Sequence, residues 1–390
     1  MLVVLISRPG AVLAALVAVA VAWGPPHPAP AATRADRPVG VFSPFNGAGR
    51  VFAPLERRAL RPGRPRLRLG EHHGNWSFSP DRSRLALGMG GASPSCGRGI
   101  CIVDVETMRI AGYVPASVAV ETVAWLRPRR IVGVLQGGVV IVVDPVAETV
   151  VQSRDLPYNN VYAPPVARTS EGLAVLIDAN PPRLIRVDAD GEVGSLALTR
   201  IGRDAGLAAA GRGERVFVVS AGAPVAEVDV RTMDVRYHRV ASRPEAGSTE
   251  ALWLGRGLLG AVSGRGGVQA IDTGTWSART ISRRATRARL AAGRLLLWSE
   301  GRLRRRGGVG LRVHTRDGRR LVRHLFGEQE LDVEVAGPRA FVFWPGARPS
   351  RAAQVVRVST GELVGSVAPP PRGYEAQILS ARLGSGDLPR

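Results

Sequence analysis

The stretch Val103-Asp104-Val105-Glu106-Thr107 is the first of seven similar segments in this chain. Each has an apolar residue, then Asp or a substitute for it, then a turn that contains Thr or Gly. The Asp position recurs at Asp104, Asp144, Asp188, Asp229, Asp272, His314 and Ser359. The intervals between successive positions are 40, 44, 41, 43, 42 and 45 residues. A period of this length, with several short strands in each unit, is the signature of a β-propeller blade.

The first unit shows how each blade is built. Its apolar or alternating runs begin at Trp76, Arg84, Gly99 and Ile110, and turn residues separate them. This pattern predicts four antiparallel strands per blade. We therefore predict an all-β fold, a seven-bladed β-propeller over residues 66–380, with six or eight blades as the alternatives. A terminal strand, 66–69 or 376–379, is expected to pair with the opposite end of the chain, which would close the ring and remove exposed sheet edges.

The repeated Asp has a structural explanation. It lies where the third strand ends, and its carboxylate can accept backbone N–H bonds from the turn that follows. Tryptophans within the strand runs are likewise interpreted as core rather than as a sugar-binding row. They are Trp76, Trp125, Trp253, Trp298 and Trp344.

Two turns carry a family resemblance. Ser79-Pro80-Asp81 resembles the Ser-Pro-Asp-Gly turn of WD-repeat-like, TolB-type propellers, with Arg82 in place of the usual Gly. Ile271-Asp272-Thr273 resembles the turn of bacterial YVTN-type surface propellers. The resemblance covers about residues 66 to 380 and implies the fold. It says little about function, because such propellers include scaffolds and surface proteins as well as a minority of enzymes. No catalytic motif of the family is matched, so no catalytic residue is carried over.

The N-terminus predicts export. Residues 11–23 form one apolar run behind Arg8, and the small-residue site Ala29-Pro30-Ala31 follows. This is the layout of a signal peptide, which we assign to residues 1–31, with an uncleaved anchor as the alternative. Residues 32–65, rich in Pro, Arg and Gly, are predicted to be a linker, and 381–390 a C-terminal tail. We expect an extracellular or cell-envelope location.

The only two cysteines, Cys96 and Cys101, fit that location. Five positions apart in the first unit, they are expected to form a short disulfide in an oxidising compartment. Two cysteines without a suitably spaced His pair do not make a zinc site, so we predict no metal and no cofactor.

The charge is strongly positive. The net value is +21, and all 53 basic residues are Arg, a usage typical of a GC-rich bacterial genome. A basic face is predicted in the fifth and sixth units, at Arg302, Arg304, Arg305, Arg306, Arg319 and Arg320. The partners expected for it are an anionic cell-envelope polymer, a lipid headgroup or a protein. Nucleic acid is not expected, because aromatic side chains are not interleaved with the arginines. A solvated face with no dedicated ligand is the alternative.

Ligands of propellers usually bind at the mouth of the channel, where the innermost strand of each blade begins. The polar candidates there are His73, Asn75, Glu121, Asn160, Asp204, Glu250 and Glu330. His72 and His73 are adjacent on an extended strand and point to opposite faces, so they do not form a metal pair. We predict a monomeric binding or interaction scaffold for a polar or anionic partner. The alternative is a propeller lyase or lactonase-like hydrolase with its site at the channel mouth.

Overall fold

The computed structural model describes only β-strands as regular elements. The described residues are 39–44, 50–54, 67–69, 72–91, 96–156, 164–211, 213–240, 249–265, 267–299, 310–326, 331–336, 338–343, 353–367 and 374–379. They contain 32 strands, β1 to β32 in chain order, and belong to a compact unit that spans Arg34–Arg390.

Eight four-stranded antiparallel sheets make up the fold. The first combines β1 (Val39–Pro44), β2 (Arg50–Pro54) and β3 (Leu67–Leu69) with β32 (Tyr374–Leu379). The next three are β4–β7 (His72–Phe78, Arg84–Met89, Gly99–Asp104, Arg109–Pro115), β8–β11 (Val120–Arg127, Arg130–Leu135, Val139–Asp144, Thr149–Asp155) and β12–β15 (Val166–Arg168, Gly172–Ile177, Arg183–Asp188, Val193–Ala197). The last four are β16–β19 (Gly206–Ala210, Arg215–Val219, Val225–Asp229, Val235–His238), β20–β23 (Thr249–Gly255, Leu258–Ser263, Val268–Asp272, Ala278–Ser282), β24–β27 (Arg287–Ala291, Arg294–Trp298, Leu311–Thr315, Arg320–Leu325) and β28–β31 (Asp332–Ala336, Arg339–Phe343, Ala353–Arg357, Glu362–Val367).

The seven predicted units are confirmed as the second to eighth sheets, each built from four consecutive strands. The first sheet adds to them and corresponds to the alternative of eight blades. The prediction of a linker over residues 32–65 needs correction, because that range contains β1 and β2. The sequence did not indicate these two strands because their short apolar runs are surrounded by Pro, Arg and Gly and are not followed by the Asp turn of the repeat. The predicted closure is confirmed: β1 pairs with β32 along its whole length, from Val39 opposite Leu379 to Pro44 opposite Tyr374.

Neighbouring sheets pack face to face around a ring. An apolar cluster that includes Ile100 and Ile131 joins the second sheet to the third. Five further apolar clusters join each later pair of neighbouring sheets, up to the seventh and eighth. The ring closes where Leu69 packs on the second sheet and β28 contacts β32. Contacts between β4 and β8 and between β16 and β20 identify the first strand of each repeat as innermost. We call the end where these strands begin the upper end, and the end with the repeat's Asp turns the lower end.

The repeated Asp closes the lower turns, as predicted. Asp104 Oδ1 accepts from the backbone N and the hydroxyl of Thr107, both at 2.7 Å. Asp229 and Asp272 each accept from two backbone N–H groups at 2.9–3.1 Å. These N–H groups, that of Thr232 first for Asp229 and that of Thr275 first for Asp272, hold the pKa of both carboxyls below the ordinary value. At the drifted position, the Nδ1 atom of His314 lies 3.0 Å from the carbonyl oxygen of Gly318.

The interpretation of the tryptophans as core is confirmed for those the structure describes. Trp76, Trp125 and Trp298 are 2–4% exposed. Trp253 is partly buried and stacks on Phe217 with ring centroids 5.5 Å apart. Trp344 lies outside the described residues.

Cys96 and Cys101 form the predicted disulfide, and both are fully buried in the core of the second sheet.

Several arginines bridge neighbouring sheets. Arg168 donates to the carbonyl oxygen of Leu126 at 2.9 Å, and Arg127 forms an ion pair with Asp190 at 3.3 Å. Arg186 donates to the carbonyl oxygen of Val230 at 3.1 Å. Part of the arginine excess therefore holds the ring together and is not a free surface charge.

Candidate functional site

The predicted mouth residues that the structure describes lie at the upper end of the ring. His73 and Asn75 are in β4, Glu121 is in β8, and Glu250 is in β20. Asp204 comes two residues before β16. Asn160 and Glu330 lie outside the described residues.

Glu121 and Glu250 have different surroundings. Glu121 is 3% exposed, so it is enclosed by the inner strands and does not stand on a solvated rim. Glu250 is open to solvent by about a third of its side chain, and its Oε1 accepts from Arg287 Nη1 at 2.6 Å. This ion pair joins the sixth sheet to the seventh at the mouth.

Asp204 is the predicted residue that borders a cavity. A cleft of about 230 Å³ lies at the upper end between the fourth, fifth and sixth sheets, and we call it the upper cleft. Its lining residues are Pro165, Leu176, Ile177, Asp178, Pro182, Asp204, Ala205 and Thr249. The backbone N of Thr249 donates to the carbonyl oxygen of Asp204 at 2.9 Å, which ties the sixth sheet to the edge of the cleft.

A close approach of two strands supports the cleft from below. A Cβ atom built on Gly206 would lie 2.4 Å from the backbone N of Ala251 and 2.7 Å from the carbonyl oxygen of Thr249. Only glycine allows β16 and β20 to come this close, and Gly206 follows directly after Ala205 of the cleft. Sequence reasoning found Asp204 from its position before an inner strand. It missed Asp178, which follows the second strand of its blade.

Two of the six arginines of the predicted basic face lie in the described residues. Arg319 and Arg320 are exposed at the lower end, Arg319 in the turn after β26 and Arg320 at the start of β27. Arg302, Arg304, Arg305 and Arg306 lie outside the described residues, between Ser299 and Gly310.

The Arg316 side chain lies over two turns at the lower end, where the sixth sheet meets the seventh. A Cβ built on Gly255 would lie 3.0 Å from Arg316 Nη1, and one built on Gly293 would lie 3.9 Å from its Nε and Nη2. Arg256 and Arg294 are the residues that directly follow these two glycines. We call Arg256, Arg294 and Arg316 the lower arginine cluster.

One aromatic and charged cluster was not predicted. His238 stacks on Trp276 with centroids 3.6 Å apart, and its Nε2 lies 2.9 Å from Glu227 Oε2. Glu227 also accepts from Arg215 Nη1 at 2.7 Å. Trp276 belongs to the lower turn of the next sheet, so no local sequence pattern indicated this contact. The cluster fastens the outer strands of the fifth sheet to the sixth.

Two further observations concern the described ranges alone. There, no three His, Cys, Asp or Glu side chains come together as a set of metal ligands. Nor do those ranges hold a helix of the length and apolar character needed to span a membrane.

Comparison with known proteins agrees with the fold. The sequence matches no protein-family model and no curated protein. Among solved structures, it is similar to the dihydro-heme d1 dehydrogenase NirN, in complex with DHE (TM-score 0.61, 14% identity, covering 88% of this chain and 75% of NirN). It is also similar to apo AztD from Citrobacter koseri (0.55, 12%, covering 90% and 100%) and to BamB from Moraxella catarrhalis (0.51, 13%, covering 78% and 92%).

At these identities the likeness shows the fold alone. The chain is a β-propeller that resembles the WD-repeat and TolB-type proteins.

Proposed function

We propose that this propeller is an exported binding scaffold that holds an anionic partner on the lower arginine cluster. The observation that carries the proposal is the position of the Arg316 guanidinium beside Gly255 and Gly293, the residues that directly precede Arg256 and Arg294. Arg256 and Arg316 are exposed, so a partner can reach them.

The backbone makes room for the Arg316 side chain. Gly255 and Gly293 have φ angles of 88° and 74°, a left-handed conformation that glycine adopts without strain. The missing side chain of Gly255 leaves space beside Arg316 Nη1, whereas a methyl group at Gly293 would make ordinary contact. Replacing either glycine would strain its turn, and replacing Gly255 would also crowd Arg316.

The nearby acids are engaged in their own turns. Asp272 accepts from the backbone N of Gly274 and Thr275, both at 2.9 Å, and Asp317 accepts from the Thr315 hydroxyl. Arg294 uses its Nε to donate to the carbonyl oxygen of Ser359 at 3.3 Å. Guanidinium groups offer planar, forked donors that match carboxylate, phosphate and sulfate oxygens, so an anion with such groups would suit this arginine-bearing edge of the ring.

Export is supported by the sequence of residues 1–31, with its apolar run and small-residue site, and by the buried disulfide. The partner would then be an anionic envelope polymer, a lipid headgroup or an acidic protein surface. Mass spectrometry of the protein from culture medium or envelope fractions tests this point, and the expected mature chain begins at Ala32 or Thr33. An intact N-terminus in the cytoplasmic fraction would contradict export.

The binding test uses two probes, heparin and phosphatidylcholine vesicles with or without phosphatidylglycerol. The triple variant R256Q/R294Q/R316Q should lose affinity for the bound probe by about tenfold or more, because charge-assisted hydrogen bonds are removed. The control R98Q/R109Q/R231Q removes the same charge from exposed positions elsewhere. Equal losses in both variants would show a diffuse charge effect and no site. Failure of the wild-type protein to bind either probe would overturn the proposal.

A further inference from the structure

We infer that the upper cleft binds an organic cation, a primary amine or guanidinium carried on a short aliphatic stem. This inference is independent of the proposed function, because the cleft lies at the end of the ring opposite to the lower arginine cluster.

The size and walls of the cleft suit such a stem. Its volume of about 230 Å³ lies below the roughly 300–1,000 Å³ of pockets for drug-sized ligands, and it suits a ligand no larger than one long side chain. Leu176, Ile177 and Ala205 line it and are 2–7% exposed, so each presents only a small apolar edge to the cleft. A methylene chain placed against these edges would lose part of its contact with water.

Two carboxylates give the cleft its charge preference. Asp178 and Asp204 are exposed residues of the lining, and neither forms an ion pair with another residue of the described ranges. Arg183, the base that follows Pro182, donates through Nε and Nη2 to the hydroxyl of Ser195 instead. In a chain of net charge +21, a cleft whose described charged lining groups are both acids selects for a cation.

Backbone hydrogen bonds hold the cleft in shape. Leu176 N donates to the carbonyl oxygen of Pro165 at 2.9 Å, and Leu198 N to that of Pro182 at 2.8 Å. Together with the bond from Thr249 to Asp204, these contacts fix walls from three sheets. A ligand therefore meets a largely preformed site, which lowers the entropy cost of binding.

The probes are cadaverine and agmatine, with 1-pentanol as a neutral analogue of similar length, and binding is measured by calorimetry. Wild-type protein should bind at least one of the two cations and not the alcohol. The variant D178N/D204N should weaken cation binding by about tenfold or more, a loss of about 1.4 kcal/mol. The control E214Q/D234N makes the same charge change at exposed positions in the lower turns of the fifth sheet, at the opposite end from the cleft, and should leave binding unchanged.

A second arm separates a free amine from a side chain of a partner protein. The peptide acetyl-Ala-Lys-Ala-amide is compared with its norleucine analogue. Selective binding of the lysine peptide supports a polypeptide ligand, and binding of the free amines alone supports a small molecule. The inference is overturned if no cation binds, if pentanol binds equally well, or if the control variant loses as much affinity as D178N/D204N. Heparin or vesicle binding is unaffected by D178N/D204N if the two sites are separate.

Discussion

Replacing Gly206 with alanine tests how tightly the fifth and sixth blades are joined beneath the upper cleft. The added methyl group would lie 2.4, 2.6 and 2.7 Å from backbone atoms of Ala251, Glu250 and Thr249. The nearest pair would have to separate by about 0.6 Å merely to reach 3.0 Å. Because all three atoms belong to the backbone of β20, no side chain can turn aside to make room.

We expect a net loss of about 1–2 kcal/mol in the free energy of unfolding. Overpacking of this kind costs about 1–3 kcal/mol, and the lower entropy of the unfolded alanine chain returns about 0.4–1 kcal/mol. Urea unfolding followed by tryptophan fluorescence measures the change. G206A should also weaken cadaverine binding, since Ala205 and Thr249 of the cleft move with the strands.

Gly202 provides the matched control. A methyl group there would meet only the side chain of Ser220, at 3.6 and 3.9 Å, which is ordinary contact. G202A should therefore be neutral or slightly stabilising. Equal stability of G206A and G202A would refute the close approach of β16 and β20.

Three further predictions concern the turns and the closure of the ring. Asp229 and Asp272 have lowered pKa values, so the stability they contribute is present above the ordinary value of 3.8 and is lost as pH falls through the lowered values. D229N/D272N should flatten the fall in urea midpoint between about pH 5 and pH 2, and an unchanged slope would contradict this assignment. Arg82 has a φ of 64°, a left-handed conformation that glycine adopts more easily than alanine. R82G should therefore be more stable than R82A by about 1 kcal/mol in thermal unfolding, and equal stabilities would show that the turn is unstrained. Truncation after residue 373 removes β32 and should cause aggregation in light scattering, whereas truncation after residue 380 should not. Equal behaviour of the two truncations would argue against closure by β32.

Much of the fold was predictable because each blade repeats the same local chemistry. Asp104, Asp229 and Asp272 accept backbone N–H groups in their turns, so the motif that set the period also builds the structure. The resemblance to the Ser-Pro-Asp-Gly turn likewise holds in detail, since Arg82 adopts the left-handed conformation that glycine would favour there. The first sheet was harder to predict because its four strands come from both ends of the chain. No repeat spacing relates β1 to β32.

The candidate site was less predictable than the fold. Asp204 could be proposed from its place before an inner strand, but the cleft also depends on Leu176 and Asp178 of another blade. The position of Arg316 at the lower end depends on Gly255, whose only signal in the sequence is the absence of a side chain. Both sites arise from contacts between repeats, and a period read along one chain does not report which residues of adjacent repeats meet.

The pairing of β1 with β32 sets an order of events in the life of the chain. Val39 and Leu379 are partners although 340 positions separate them, whereas each later sheet completes from consecutive strands. During synthesis, β1 therefore has one edge unpaired until residues 374–379 have emerged. A chain that stops before these residues would leave that edge open to proteases, chaperones or aggregation.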